Sequence, residues 1–373
     1  MGELAISKVD KIYRSRGKKP VHAVQDLSFT VKPGEIVALL GSSGCGKTST
    51  LRMIAGFEDV SNGSITLDGK AIHTLPPSKR GVAMAFETYS LYPPLTIGDN
   101  IAFALKSSSL SAEEQQRRVK DMADMLEISA ILQKYPSSVS GGQQQRASLG
   151  RALVRNAGLY LLDEPMGQLE PQLRAILRGR IKAYLRQHNC TTILVTHDQT
   201  EANALADRIA VMEGGILQQY ATPVELKAKP ANLFTGTFIG EPPMNVFPVK
   251  VEANAKAIAF HIDGKTALTY PTSELSSDVF QALSKNINIS LGIRPHALHI
   301  GEGPITGQVV ACQWLGDQTH VAVDVAGRTV VSVSHDRMSV KPGKILSLNV
   351  AAGDLHLFDT ASGEAIAHGA VLA

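Results

Sequence analysis

The first residues whose types and spacing could do chemistry lie between Gly41 and Thr48. The run G-S-S-G-C-G-K-T fits the pattern G-x-x-x-x-G-K-[ST]. It follows a short apolar run, Ile36 to Leu40, and opens a helix-like stretch, the context such a loop requires. Glycines let main-chain N–H groups close around phosphate oxygens, and a helix N-terminus adds the positive end of its dipole. Lys47 is placed to reach the β- and γ-phosphates of a nucleotide, and Thr48 to ligate Mg²⁺. The plainer alternative, a Gly/Ser-rich turn with a solvated lysine, does not account for the strand before it and the helix after it.

Three further motifs follow in order. V-S-G-G-Q-Q-Q-R, Val139 to Arg146, places Ser140 and two glycines at a predicted helix N-terminus, a second anion nest. L-Y-L-L-D-E-P, Leu159 to Pro165, is an apolar strand ending in two acids. Asp163 at its tip can hold a metal's water shell. Glu164 can polarise an attacking water as general base. Val195-Thr196-His197-Asp198 sets a histidine at a similar strand end, where ligands of an α/β sheet gather. Alone, each of these three reads as an ordinary turn, cap or structural histidine.

The elements that must position these residues can be read from periodicity. Short apolar runs at Ile36–Leu40, Val82–Phe86, Leu159–Leu162, Thr192–Val195 and Ile209–Met212 alternate with helix-periodic stretches such as Gly142–Val154 and Pro171–Leu185. That alternation predicts a largely parallel sheet with helices. Residues 107–135 are polar and helix-periodic, a helical insertion. Gly240-Glu241-Pro242-Pro243 breaks the pattern and marks a boundary between domains at 1–240 and 241–373. Beyond it, β-rich runs at Val246–Val251, Ala257–Ile262, Ile287–Ile293, Thr319–Val325, Thr329–Val333 and Ile345–Val350 predict a small barrel or sandwich.

Composition agrees with two packed domains. The chain has 373 residues, 44% apolar and 19% charged, which excludes global disorder. The net charge of +3 is too small to argue for nucleic acid. Residues 1–240 hold 28 Lys and Arg against 22 Asp and Glu; residues 241–373 hold 9 against 12. The basic excess of the first part suits a phosphate-bearing ligand or a solvated surface equally. Three cysteines form neither a disulfide framework nor a zinc site, which points to a reducing compartment. No apolar run approaches the ~18 residues of a membrane span, so a membrane role would act through a partner.

Taken together and in this order, the four motifs resemble those of the ABC-transporter ATPases. Within that family the chain is similar to ATPase subunits of bacterial carbohydrate importers of the maltose, trehalose and glycerol-phosphate type. The narrower likeness rests on S-L-Y-P-P-L-T-I-G-D-N-I (Ser90–Ile101), F-I-G-E-P-P-M-N (Phe238–Asn245), G-I-R-P-H (Gly292–His296) and H-L-F-D (His356–Asp359). The resemblance implies an α/β P-loop NTPase of the ABC type, with a helical subdomain at about 88–158 and a β-rich, OB-like regulatory C-terminal domain.

It also implies a mechanism with ATP and Mg²⁺. ATP would be held by Ser42, Gly44, Cys45, Gly46, Lys47, Thr48 and Ser49 of one subunit and by Ser140, Gly142 and Gln143 of a second ATPase subunit facing it. Tyr13 stands where the family stacks an aromatic on adenine, and aromatic faces do bind bases. Glu164 and His197 would be catalytic, and Thr48, Asp163 and Glu87 would face the metal. Two transmembrane permease subunits, fed by a periplasmic solute-binding protein, would be driven from the cytoplasmic face of the bacterial inner membrane, with no nucleic acid involved. Two positions depart from the family pattern. Glu87 replaces the usual Gln after the Val82–Phe86 strand, either as an acidic metal ligand or pointing away. G-Q-L-E (Gly167–Glu170) replaces S-N-L-D, which leaves a homodimer as the main expectation and pairing with a more typical ATPase as the other. A mechanical clamp on nucleic acid or ribosomes is the alternative function. Such proteins usually join two cassettes or carry a long coiled coil, and this chain has one cassette and no heptads.

Overall fold

The computed structural model describes residues 2–14, 17, 19–254, 256–264, 266–274, 279–280, 283 and 288–369. The chain divides into two units, Met1–Pro223 and Val224–Ala373. In chain order the first unit runs β1 (Leu4–Tyr13), β2 (Val21–Val31), β3 (Ile36–Gly41), α1 (Lys47–Ala55), β4 (Asn62–Leu67), β5 (Lys70–Ala71), β6 (Val82–Ala85), α2 (Ile97–Phe103), α3 (Ala112–Met125), α4 (Gly141–Leu153), β7 (Leu159–Asp163), α5 (Pro171–Gln187), β8 (Thr192–Val195), α6 (Gln199–Leu205), β9 (Arg208–Glu213) and β10 (Ile216–Ala221).

The five apolar runs of the first unit are all strands of one six-stranded sheet, ordered β10-β9-β3-β8-β7-β6. It is parallel except for the edge strand β10. β3, β7 and β8 are buried at every residue, as strands covered on both faces must be. The expectation of a largely parallel sheet is incomplete, because β2-β1-β4-β5 form a second, antiparallel sheet. Leu4, Val24 and Leu27 of that sheet share one apolar core with Val37 and Leu39 of β3 and with Leu51 and Ile54 of α1. The polar insertion is shorter than its periodic stretch: α3 covers Ala112–Met125, followed by single helical turns at Ser129–Ile131 and Pro136–Ser138.

The second unit carries α7 (Pro223–Ala228) at the division and α8 (Leu233–Phe238). It continues with β11 (Asn245–Ala253), β12 (Ala257–Ile262), β13 (Thr266–Pro271), β14 (Asn288–Ile293), β15 (His299–Trp314), β16 (Thr319–Val325), β17 (Arg328–Ser334), β18 (Ile345–Asn349), β19 (Leu355–Asp359) and β20 (Ala365–His368). Two antiparallel sheets, β13-β12-β11-β14-β19-β20 and β17-β16-β15-β18, bury a common core that includes Phe247, Phe260, Leu291, Val323 and Leu348. Each β-rich run of the sequence falls on one of these strands, with Val350 just past the end of β18; Ile287, the first residue of one run, falls outside the described residues.

Three buried arginines hold main-chain carbonyls. Arg80, 5% exposed, donates to Met53 O (2.6 Å) and Ile54 O (3.0 Å) at the end of α1, and to His73 O (2.9 Å) and Leu75 O (2.7 Å). Arg146 donates to Leu126 O and Glu127 O just past α3. Arg294 donates to Lys227 O, Gly236 O and Ile239 O around α7 and α8. A cation at a helix C-terminus satisfies orphan carbonyls and opposes the dipole. Gly56, which ends α1 at φ +87°, also makes room: a Cβ there would lie 2.5 Å from Arg80 Nε. Arg80→Ala would leave four carbonyls short of a donor. Chemical unfolding of the first unit should show a loss of about 3 kcal/mol or more, since each orphaned buried group costs ~1–3 kcal/mol. A loss under ~1 kcal/mol would contradict this reading of Arg80.

Candidate functional site

The Gly41–Thr48 loop joins the C-terminal end of β3 to α1. Gly46 caps α1 at φ +103° with no side-chain bond, so no side-chain oxygen competes for the first-turn N–H groups. A Cβ on Gly46 would lie 2.5 Å from Ala23 O, and one on Gly41 2.1 Å from Met212 O, so both positions require glycine. Lys47 is 8% exposed, and its Nζ donates to Gly41 O and Ser42 O at 2.8 Å each. Cys45 is buried, with Sγ 3.6 Å from Nζ. The Ser42 hydroxyl donates to Glu213 at the end of β9. Gly44 takes φ +77°. Thr48 and Ser49 are half-buried in the first turn of α1, and Tyr13 OH lies 3.2 Å from Ser49 Oγ. The expected aromatic therefore stands beside the loop, with Lys11 Nζ 4.8 Å from its ring centre.

Two strands away, β7 ends at Asp163, which is 5% exposed; its Oδ1 has no hydrogen-bond partner. Burial first, then the charges of Glu87 and Glu164, push this carboxyl up to about 6, against Arg52 and Lys47. Glu164 follows at φ +46°, a left-handed conformation that costs a non-glycine residue about 1 kcal/mol. Its N–H donates to Val195 O at 2.9 Å, which fixes it across β8. His197 Nδ1 stands 2.9 Å from Glu164 Oε2, while the imidazole is 74% exposed. Glu87 is exposed in the turn after β6, within electrostatic reach of Asp163.

Ser140 caps α4 in a capping box. Its hydroxyl accepts from Gln143 N–H (3.3 Å), and its own N–H donates to Gln143 Oε1 (3.0 Å). The glycines beside it admit the loop after β7: a Cβ on Gly142 would lie 3.1 Å from Gln168 O, and one on Gly141 2.7 Å from Gln168 Oε1. Gln145, one of three adjacent glutamines in the sequence, is 3% exposed and bridges the two segments. It donates to Glu164 O (2.8 Å) and accepts from Gln168 N–H (3.0 Å). Arg174 on α5 donates to Asp198 Oδ2 (3.0 Å) and to Leu169 O (3.1 Å), joining the same loop to the His197 turn. Neither Gln145 nor Arg174 carries a local sequence signal, because the links that join the segments, from Gln145 to Glu164 and Gln168 and from Arg174 to Asp198, span 19 to 24 residues.

The arrangement sets the Glu164 carboxylate next to the buried acid Asp163, which lies within electrostatic reach of Lys47 in the Gly41–Thr48 loop. The residues fit Mg²⁺, which takes one or two protein oxygens and completes its shell with water and phosphate. Asp163 Oδ1 is an unsatisfied buried oxygen, and no group of three or more His, Cys, Asp or Glu gathers as a metal cage among the described residues. A folded-state carboxyl raised to about 6 costs stability that grows as pH rises from about 4 through 6. Asp163→Asn should therefore stabilise the nucleotide-free protein by up to about 3 kcal/mol at pH 8, because each tenfold change in proton affinity is worth ~1.4 kcal/mol. The gain should vanish as pH falls below 4. Thermal unfolding across pH measures it, and a destabilised variant at pH 8 would contradict the buried-charge account.

Comparison with known proteins agrees with this geometry. A family model described as ABC transporter matches residues 24–167, and one described as TOBE domain matches residues 291–358. A trehalose/maltose import ATP-binding protein of Thermococcus litoralis is 39% identical over 93% of this chain and 96% of its own. An sn-glycerol-3-phosphate import ATP-binding protein of Agrobacterium fabrum is 37% identical over 98% and 95%. A dimeric ATP-binding cassette, solved in a post-hydrolysis state with ADP and Pi, is 25% identical with TM-score 0.55, covering 59% of this chain and 98% of that one. The chain belongs to the ABC-transporter ATP-binding family, with an ABC ATPase cassette followed by a TOBE domain.

Proposed function

We propose that this chain is the ATP-hydrolysing subunit of a bacterial importer for a carbohydrate or polyol-type solute. The observation that carries the reading is the pair Glu164–His197 at 2.9 Å, beside a buried Asp163 on the same strand tip. The import assignment is supported by relatives named for uptake of trehalose and maltose or of glycerol 3-phosphate.

In this reading the Gly41–Ser49 loop takes the ATP phosphates. Lys47 exchanges Gly41 O and Ser42 O for phosphate oxygens, and Tyr13 lies against adenine. Thr48 and Asp163 would hold Mg²⁺, with Glu87 as a further acidic ligand, and the ion would supply neutralising charge at the phosphates. Glu164 accepts the proton of the attacking water as the bond between the γ-phosphorus and the ADP oxygen breaks, which yields ADP and Pi. His197 faces Glu164, with Nδ1 2.9 Å from Oε2, and keeps Nε2 for a phosphate oxygen. Ser140, Gly142 and Gln143 face the ATP of a second ATPase subunit, a second copy of this chain. Tyr92 and Phe103, 43% and 38% exposed with ring centres 4.6 Å apart, suit a helix of a permease subunit. Asn100, fully buried, supports that surface by bonding Tyr92, Leu95 and Thr96 of the preceding loop. No helix among the described residues is long and apolar enough to cross a membrane, so docking to permeases would hold the subunit at the cytoplasmic face of the inner membrane.

Glu164→Gln tests the chemistry. Turnover should fall by about 10²–10⁴-fold while ATP binding is retained, because the carboxylate acts on water and not on phosphate. Hydrolysis within a few-fold of wild type would remove Glu164 as the base.

A further inference from the structure

Behind the Glu164–His197 pair lies a carboxyl group that the mechanism does not use. Glu201, on the first turn of α6, is 2% exposed. It shares the buried face of its helix with Ala202 and Leu205, where an apolar side chain would be expected. The Thr196 hydroxyl donates to Glu201 Oε2 at 2.7 Å, and Oε1 is buried without a partner. A buried carboxyl with one oxygen unsatisfied is costly, so its retention calls for a use.

Its hydrogen bonds form a closed ring around the turn that carries His197. Glu201 Oε2 accepts a hydrogen bond from the Thr196 hydroxyl; Thr196 Oγ1 accepts from Asp198 N–H at 3.1 Å; Asp198 Oδ1 accepts from Glu201 N–H at 3.0 Å. His197 is the residue in this turn whose side chain leaves the ring, and it reaches Glu164. We propose that Glu201 is a positioning residue for hydrolysis, which clamps Thr196 and so holds His197 in register with Glu164. The proposal rests on the reading of Glu164 and His197 as the hydrolytic pair. Burial first, then Glu164 and Asp198 nearby, push the Glu201 carboxyl up to about 7, against the Thr196 hydroxyl and Arg174. Charged or neutral, the carboxyl in that place offers Thr196 an acceptor.

Steady-state ATPase kinetics of the full chain test this with Glu201→Ala, Glu201→Gln, His197→Ala and the double variant H197A/E201A. Loss of the clamp in E201A should lower kcat by at least tenfold and leave the ATP KM within twofold, because the phosphate loop is untouched. E201Q keeps an acceptor for Thr196 and should restore kcat to within threefold of wild type. In the H197A background, E201A should cause no further loss. Wild-type kcat in E201A, an E201Q as slow as E201A, or additive losses in the double variant each overturn the proposal. Wild-type turnover in H197A alone would instead overturn the reading of the histidine on which the proposal depends. If E201A does not fold, Thr196→Val carries the test and should show the same fall in kcat at unchanged KM. Wild-type kcat in T196V, or failure of both variants to fold, makes the pair structural and overturns the proposal.

Discussion

Like charges brought together at one end of a sheet govern the first unit. Asp163, Glu164 and Glu87 act on one another at the C-terminal ends of β6 and β7, and Asp163 is nearly sealed from solvent. Two carboxylates ~4 Å apart repel by about 4 kcal/mol at an effective dielectric of ~20. The protein relieves this in part by keeping Asp163 near its own titration and in part with Lys47 and Arg52 from α1. In the proposed reading a bound cation would offset the remainder. A site that is strained when empty and relaxed when filled makes the surrounding structure responsive to ligand, which a nucleotide-driven machine requires.

That strain is contained by links between segments far apart in sequence. Gln145 ties α4 to the backbone of Glu164 and to Gln168. Arg174 ties the loop after β7 to Asp198. The Gly167–Glu170 loop therefore sits between α4 and the His197 turn. Glu170 occupies the N-cap of α5 but makes no side-chain cap bond, where the shorter Asp of the family pattern is a preferred cap. The glycines at 141 and 142 let this loop approach α4 closely.

The parallel sheet was legible because β3, β6, β7, β8 and β9 are short apolar runs, buried at every residue in β3, β7 and β8. The motif residues were legible because each stands at a strand end or helix start with a local pattern. The antiparallel sheet escaped because its alternation is broken: β1 and β2 carry register shifts, with Lys8 and Asp26 at positive φ. β15, sixteen residues long, is likewise interrupted by a register shift between Ile300 and Ile305, across a Gly- and Pro-containing stretch. Nothing local in the sequence singles out Glu201 or Arg80. Their burial is decided by α6 packing on β3 and α5, and by carbonyls up to 27 residues away. A one-dimensional pattern does not hold that information.

The claim that Asp163 is a buried acid waiting for a cation is tested most directly by counting protons. Titration calorimetry of Mg·ATP binding at pH 6, in buffers of different ionisation enthalpy, gives the protons exchanged on binding. With the carboxyl at about 6 when the site is empty and ionised when filled, the wild type should release about half a proton more than Asp163→Asn. Equal release by the two proteins would contradict the account.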